Sequence, residues 1–239
     1  MYTYKTHIRF SEVDIDLHLT LPALMTEFQD CSIFHANAIG QATGNLRQEG
    51  HLWLLSSWQI IIDRYPSLYE EVELGTWAYG WRNFFGYRNF TMKDSDGKLT
   101  AYASTNWVYT DLATGHPARV PEEVRDLYGT EPPLDMEVAP RKIALPEGGK
   151  SLDAIPITKS DIDANGHVNN ARYVAIAQEL IPDGFATRQL RAEYRTAAKF
   201  GHVFYPTIWT VDDSGRTRII VALRDHEQKT YAVVEFTGS

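Results

Sequence analysis

Polar and apolar positions change period several times along the chain, and each change marks an element. Tyr4 to Phe10 reads as a short strand that runs into an acidic turn, Glu12-Val13-Asp14-Ile15-Asp16. From Pro22 the period lengthens. Leu24, Met25, Phe28, Cys31, Ser32 and His35 fall at helical spacing, proline suits a first turn, and Gly40 supplies a stop. Few charges interrupt this helix, so other structure is expected to wrap most of its sides. Stretches rich in β-branched and aromatic residues predict strands over 52–64, 71–81, 84–93 and 98–110, with Tyr65-Pro66-Ser67 and Asp94-Ser95-Asp96-Gly97 as turns. Glycines and prolines between 128 and 150 read as a linker.

Beyond the linker the order returns. A short strand over 155–158 leads through an acidic loop to a helix capped by Asn170, with Tyr173, Ile176, Ala177 and Leu180 as its apolar stripe and Pro182 as its end. Strands over 188–196, 203–211, 217–224 and 229–236 follow, with Asp212-Asp213-Ser214-Gly215 as a hairpin turn. The recurrence has a register: Ser11–Leu19 lies against Ser160–Val168 at an offset of 149, and Ser11/Ser160, Asp14/Asp163, His18/His167 and Gln29/Gln178 are identical. A second register, Arg64 with Arg195 and Val72 with Val203, has an offset of 131. The chain therefore reads as two copies of one strand–helix–sheet unit.

Composition narrows the class. The chain has 239 residues, 44% hydrophobic and 23% charged, which excludes a disordered or fibrous protein. One cysteine excludes an intramolecular disulfide framework or a Cys-rich zinc module, and suits a reducing compartment. Met1-Tyr2-Thr3-Tyr4-Lys5 has neither the basic nor the apolar region of an export signal, and no apolar run reaches the ~18 residues of a spanning helix. A cytoplasmic protein without membrane insertion is expected. The net charge of -8 argues against nucleic-acid binding. Arg188, Arg191, Arg195 and Lys199 form a local basic cluster, which fits a solvated strand face or a dock for an acidic partner.

Chemistry concentrates in Asp163-Ala164-Asn165-Gly166-His167-Val168-Asn169-Asn170. A carboxylate, an amide and an imidazole alternate in one loop before a helix. Asp can act as base or nucleophile or hold an imidazole tautomer, and His can relay a proton near neutral pH. Asn can position water or a carbonyl oxygen, and the first N–H groups of the helix can stabilise an oxyanion. The same pattern also fits an Asx-rich capping loop with a hydrogen-bonded histidine. There is no Gly-x-Ser-x-Gly elbow, His-Glu-x-x-His pair or phosphate-binding glycine loop, and His7, His35, His51 and His226 lack metal-ligand spacing. Neither metal nor cofactor is expected.

With Ala171-Arg172-Tyr173 following it, this loop resembles that of the hotdog-fold thioesterases, and more narrowly that of the acyl-acyl carrier protein thioesterases of bacteria and plant plastids. Further matching segments are Arg64-Tyr65-Pro66 with Val72 and Thr76-Trp77, then Gly97, Ala101, Ser104 and Trp107, then Gly115-His116-Pro117-Ala118-Arg119-Val120-Pro121, and Glu193-Tyr194-Arg195. The resemblance implies an α+β double hotdog, two tandem antiparallel-sheet units each wrapping a long central helix. It divides the chain into a first unit over 1–128 that scaffolds the acyl pocket, a linker over 129–150 and a catalytic unit over 151–239. It further implies cofactor-free hydrolysis of an acyl carrier protein thioester to free fatty acid, with Asp163, Asn165 and His167 as catalytic positions.

One departure stands out. Plant members place Glu-Cys where this chain has Ala197 and Ala198. Thiol catalysis from that position is thereby excluded, and Asp163 or His167 is left to activate water, ahead of Glu179 and Glu193. In the first copy Asn165 is matched by Asp16 and Gly166 by Leu17, so that half is expected to scaffold the acyl pocket, with Trp53, Trp58 and Phe28 bounding the acyl tail. The alternatives are an acyl-coenzyme A thioesterase of the same fold and a non-catalytic acyl-binding module. A hotdog dehydratase fits less well, because Val-Asn-Asn rather than a proline-containing loop follows His167. Monomer or homodimer is left open.

Overall fold

Antiparallel strands, several with runs of five or six buried residues, pair within each of two units. The computed structural model describes residues 1–213 and 215–238, so Ser214 of the expected Asp212–Gly215 turn lies outside the described residues. One unit comprises Met1–Ser56 and Ile60–Val138, the other Ser57–Gln59 and Ala139–Ser239.

The first unit contains β1 (Tyr2–His7), β2 (His51–Ile62), β3 (Glu71–Arg82), β4 (Phe85–Lys93) and β5 (Leu99–Asp111), in the spatial order β1-β3-β4-β5-β2. Its helix α1 (Leu21–Ala38) packs on β3. Thr20 caps α1 by accepting the Ala23 N–H at 3.3 Å, and Pro22 occupies the first turn, where a missing N–H costs nothing. Leu24, Met25, Phe28 and Cys31 are buried with Val72, Leu74, Phe90 and Met92 of the sheet, and the Phe28 and Phe90 rings meet at 5.4 Å. Each such side chain contributes about 1.5–3 kcal/mol by leaving water, so packing rather than propensity holds the helix.

Two short helices escape a periodicity argument, α2 (Thr43–Gln48) and α3 (Glu122–Tyr128). At six and seven residues they span under two turns and leave no repeating stripe. The segment after α3, expected as linker, is fastened at both ends. Trp77 Nε1 donates to the Pro132 carbonyl at 2.9 Å, and Asn89 Oδ1 accepts the Leu134 N–H at 3.0 Å. Further on, Arg191 Nη2 donates to the Pro140 carbonyl at 2.6 Å, and the Ile143 N–H donates to Glu193 at 3.0 Å.

The second unit contains β6 (Lys150–Ser151), β7 (Ile155–Pro156), β8 (Thr187–Tyr194), β9 (Val203–Asp213), β10 (Arg216–Arg224) and β11 (Thr230–Gly238). Their order is β8-β11-β10-β9-β6, with β7 also on β9. Its helix α4 (Asn170–Gln178) packs on β10 and β11 and has nine residues against the eighteen of α1. The cap is Asn169 rather than Asn170, and its side chain accepts the Ala171 N–H. Because α4 ends at Gln178, Leu180 falls beyond the helix, and the buried stripe is Ala171, Val174 and Ala177 with Tyr173.

The internal repeat is visible in hydrogen bonds. At the offset of 149, Asp14 and Asp163 each donate their N–H to the carbonyl of the histidine four residues on, and Thr20 and Asn169 each cap a helix. The second register differs by one residue from that expected. Asp63 and Arg64 donate to the Thr100 carbonyl as Arg195 and Thr196 donate to that of Tyr231, which pairs Arg64 with Thr196 at an offset of 132. A one-residue slip exchanges the faces of a strand, and buried Val72 accordingly corresponds to buried Phe204, not to half-buried Val203.

Candidate active site

A turn that folds back on its own first carboxylate places the three sequence-predicted residues together. Asp163 Oδ1 accepts the backbone N–H of Asn165 at 2.7 Å and of His167 at 3.3 Å, while Oδ2 accepts from Asn165 Nδ2 at 3.2 Å. The Asp163 N–H donates to the His167 carbonyl at 2.8 Å, closing the loop. Gly166, at φ 74°, takes the left-handed conformation that the turn requires and glycine adopts without a Cβ clash. Asn165 is exposed and Asp163 and His167 are half-buried, so the amide and imidazole lie within reach of a solvent-borne substrate.

The expected oxyanion site at the helix N-terminus fares differently. The Ala171 N–H is held by the Asn169 side chain, and the Arg172 and Tyr173 N–H groups both donate to the Asn169 carbonyl. In the loop itself, the Gly166 N–H goes to the Asp163 carbonyl, Val168 to Ala198 and Asn169 to Asp161. These donors are all engaged inside the protein.

Behind the loop stands a rigid support that the sequence reading missed. Asp161 is buried, accepts the N–H and hydroxyl of Thr158 at 2.8 and 2.7 Å, and accepts Arg172 Nε and Nη2 at 3.0 and 2.8 Å. Burial alone would raise its pKa. The Thr158 and Arg172 hydrogen bonds outweigh burial and hold the carboxyl below the usual range. Its signal was the Thr158-x-x-Asp161 spacing of a capping box. Tyr194 donates to the Asn170 carbonyl at 2.9 Å, and the Tyr173 hydroxyl, pushed up to about 12 by burial, accepts the Ala198 N–H at 2.8 Å. Ala198, fully buried, thus links β9's approach to both the loop and α4 through its backbone, while Ala197 is exposed.

The other carboxylates named as water activators sit in different surroundings. Glu193 is buried and gripped by Arg195 Nε and Nη2 at 3.0 and 2.9 Å, and Glu179 is exposed at the far cap of α4. In the basic cluster, Arg191 is committed to Glu235 and the 140–142 carbonyls and Arg195 to Glu193, which leaves less free charge on that face than the sequence implied. Among the described residues, no three His, Cys, Asp or Glu side chains converge to hold a metal ion, and no helix is long and apolar enough to cross a membrane.

The first copy reproduces the loop without its chemistry. Asp14 Oδ1 accepts the N–H of Asp16 and of His18, both at 3.0 Å, and Leu17 stands at φ 61° where Gly166 stands in the second. Asp16 supplies a carboxylate in place of the Asn165 amide. The first unit contributes instead a largely apolar cleft. Of the aromatics expected to bound an acyl tail, Trp53 lines it together with Trp81, Trp107 and Tyr128. Phe28 belongs to the core against Phe90, and Trp58 is buried away from the lining. Gly86 makes the wall possible: a Cβ there would lie 2.9 Å from the Trp81 ring and 3.2 Å from that of Trp53.

Antiparallel strands with a helix packed on them in each of two units, and a repeated acidic loop of which one copy keeps an Asn and a His, define a tandem hotdog protein. The family profile "Acyl-ACP thioesterase N-terminal domain" matches residues 1–128, and "Acyl-ACP thioesterase C-terminal domain" matches residues 148–198. The chain belongs to the acyl-ACP thioesterase family. It is 26% identical to an acyl-ACP thioesterase from Bacteroides thetaiotaomicron, whose crystal structure superposes with a TM-score of 0.88 over 99% of this chain and 97% of that one. The 12:0-ACP thioesterase from Umbellularia californica shares the fold at a TM-score of 0.87 and 20% identity, covering 100% of this chain and 93% of its own. A chloroplastic palmitoyl-acyl carrier protein thioesterase of Gossypium hirsutum is 25% identical over 90% of this chain. The chain spans about half the length of the curated relatives it matches, 56% in that case.

Proposed function

We propose that the protein hydrolyses medium- or long-chain acyl-acyl carrier protein thioesters to free fatty acid and carrier protein, with Asp163, Asn165 and His167 as the working loop. The observation that carries this reading is a loop in which one carboxylate fixes an exposed amide beside an imidazole, in a chain whose two halves both match the family. In this reading the exposed Asn165 amide hydrogen-bonds the thioester oxygen as charge develops on it. His167 accepts a proton from the attacking water and returns it to the departing sulfur, so the carbon–sulfur bond breaks as the carbon–oxygen bond forms. Asp163, with both oxygens engaged by the loop, is a positioning residue rather than the base.

The proposal assigns the acyl-pocket role to the first unit, over 1–128, and the chemistry to the second, over 151–239. The indole-walled cleft suits an alkyl chain. A cytoplasmic site of action belongs to the same proposal and rests on the single, free cysteine; cell fractionation checks it.

The test is fatty acid release from a panel of acyl carrier protein thioesters of graded chain length, with the matching coenzyme A thioesters alongside. Wild-type protein is expected to show the higher kcat/KM on the carrier protein substrates. His167→Ala and Asn165→Ala should each lower kcat about 10²-fold or more. Wild-type turnover in either variant would overturn the assignment of the loop.

A further inference from the structure

The cleft of the first unit contains a cation that the hydrolysis of a plain alkyl thioester does not use. Arg88 lies on β4 and is 7% exposed, and its side chain lines the cleft. Nη1 donates to His35 Nδ1 at 2.9 Å and to Thr76 Oγ1 at 3.0 Å, and the guanidinium lies 5.2 Å over the Tyr128 ring. Each of these partners is uncharged. Burial and the neighbouring arginine hold His35 down to about 4, and burial pushes the Cys31 thiol up to about 12. Among the described residues no carboxylate pairs with Arg88, whereas Arg9, Arg64, Arg172, Arg191, Arg195 and Arg218 each have one.

A guanidinium keeps its proton in a protein, so Arg88 is a buried positive charge without a counter-ion. Such a charge loses hydration that neutral hydrogen bonds and one aromatic face recover only in part. Nη1 makes both side-chain hydrogen bonds, and Nε and Nη2 make none among the described residues. Their fork has the geometry that accepts a carboxylate in bidentate fashion. The indoles of Trp53, Trp81 and Trp107 with Ile33 and Leu46 make up much of the remaining lining, which also includes Ser32, Gln41 and Thr43. A largely apolar cleft with one cationic group suits a ligand with an apolar body and an anionic end.

We propose that Arg88 makes this cleft a binding site for a carboxylate carried on the end of an alkyl chain. Two sources share that chemistry: a free fatty acid whose headgroup enters the cleft, and an acyl thioester whose far end bears a second carboxylate. The site is argued from the first unit alone, and its binding arm does not depend on the loop of the second unit being catalytic.

Intrinsic tryptophan fluorescence of the full chain reports directly on the indole walls. Titration with dodecanoate and with 1-dodecanol, both below their micellar or solubility limits, should show the carboxylate binding at least about 10-fold more tightly, as expected for a charge-assisted fork against a neutral hydroxyl. Arg88→Met should abolish the preference and Arg88→Lys should keep part of it, with thermal melting to confirm folding. Should Arg88→Met fail to fold, the Lys variant and the comparison of two ligands on wild-type protein still decide the matter. Equal affinity for acid and alcohol, a preference that survives in Arg88→Met, or no binding of either ligand overturns the proposal.

A second arm separates the sources. Competitive inhibition of turnover by dodecanoate that is lost in the variant identifies the free acid. A ratio of kcat/KM for the carrier protein half-thioester of dodecanedioic acid to that for the dodecanoyl thioester that falls at least about 10-fold in the variant identifies the second carboxylate. Absence of any turnover would overturn the hydrolase reading and leave the fluorescence result standing.

Discussion

Replacing Asp163 by Asn separates an organiser of the loop from a catalytic base. The substitution keeps the shape, and the amide oxygen can still accept the Asn165 and His167 N–H groups now bound at 2.7 and 3.3 Å. A hydrogen bond to a charged group contributes about 1.5–3 kcal/mol, against about 1 for a neutral pair. With the loop partly in solvent, the two weakened bonds together cost about 1 kcal/mol, or roughly 2–4 °C in Tm for a chain of this size. The other oxygen becomes an NH2 group facing Asn165 Nδ2, so the 3.2 Å contact turns from a bond into an opposition of donors. Loss of that one anchor, about 1 kcal/mol of orientation, should lower kcat about 5- to 10-fold. The assay is steady-state fatty acid release across pH, with calorimetry for Tm. The pH limb of kcat should stay where it is, because the substitution leaves the proposed base in place. A loss of 10³-fold or more together with disappearance of that limb would show that Asp163 itself takes the proton, and the reasoning would fail.

Two further outcomes follow from geometry elsewhere. Leu17 sits at φ 61°, a left-handed conformation that costs a non-glycine residue about 1–2 kcal/mol. Leu17→Gly should therefore raise the urea midpoint by about 1 kcal/mol of stability after the entropy of a freer unfolded chain is offset, and an unchanged or lower midpoint contradicts this. His35, held at about 4 instead of 6.5 mainly by burial and then by Arg88, stays neutral when folded while the unfolded chain takes up a proton first. Its contribution to stability is present above about 6.5 and lost as pH falls toward 4, by at most about 3 kcal/mol. His35→Gln should remove that part of the acid dependence, read by urea unfolding at a series of pH values; the same slope in both proteins refutes it.

Much of the site was legible because its signal is local. The alternation of Asp163, Asn165 and His167 describes a turn closed by hydrogen bonds within five residues, and such a turn folds on local chemistry alone. Asp161 was less visible. Its capping-box spacing is local, but its partnership with Arg172 requires α4 to be in place. The long strands and α1 declared themselves by period, whereas α2 and α3 are too short to have one. The slip of the second register from 131 to 132 shows the limit of single-letter matching: an Arg-to-Arg identity outweighed a face assignment that only burial could make.

By itself, the sequence determined the repeat, the element order and the loop that distinguishes the second copy from the first, since all three depend on residues close together in the chain. The tertiary structure decided which donors around the loop and at the start of α4 are already engaged. It also decided that Trp53 rather than Phe28 or Trp58 lines a cleft, and that Arg88 lies there without a counter-ion. Such properties follow from what surrounds a side chain in space. A polar group's cost or use is set by whether water or a partner reaches it, and residues distant in sequence settle that.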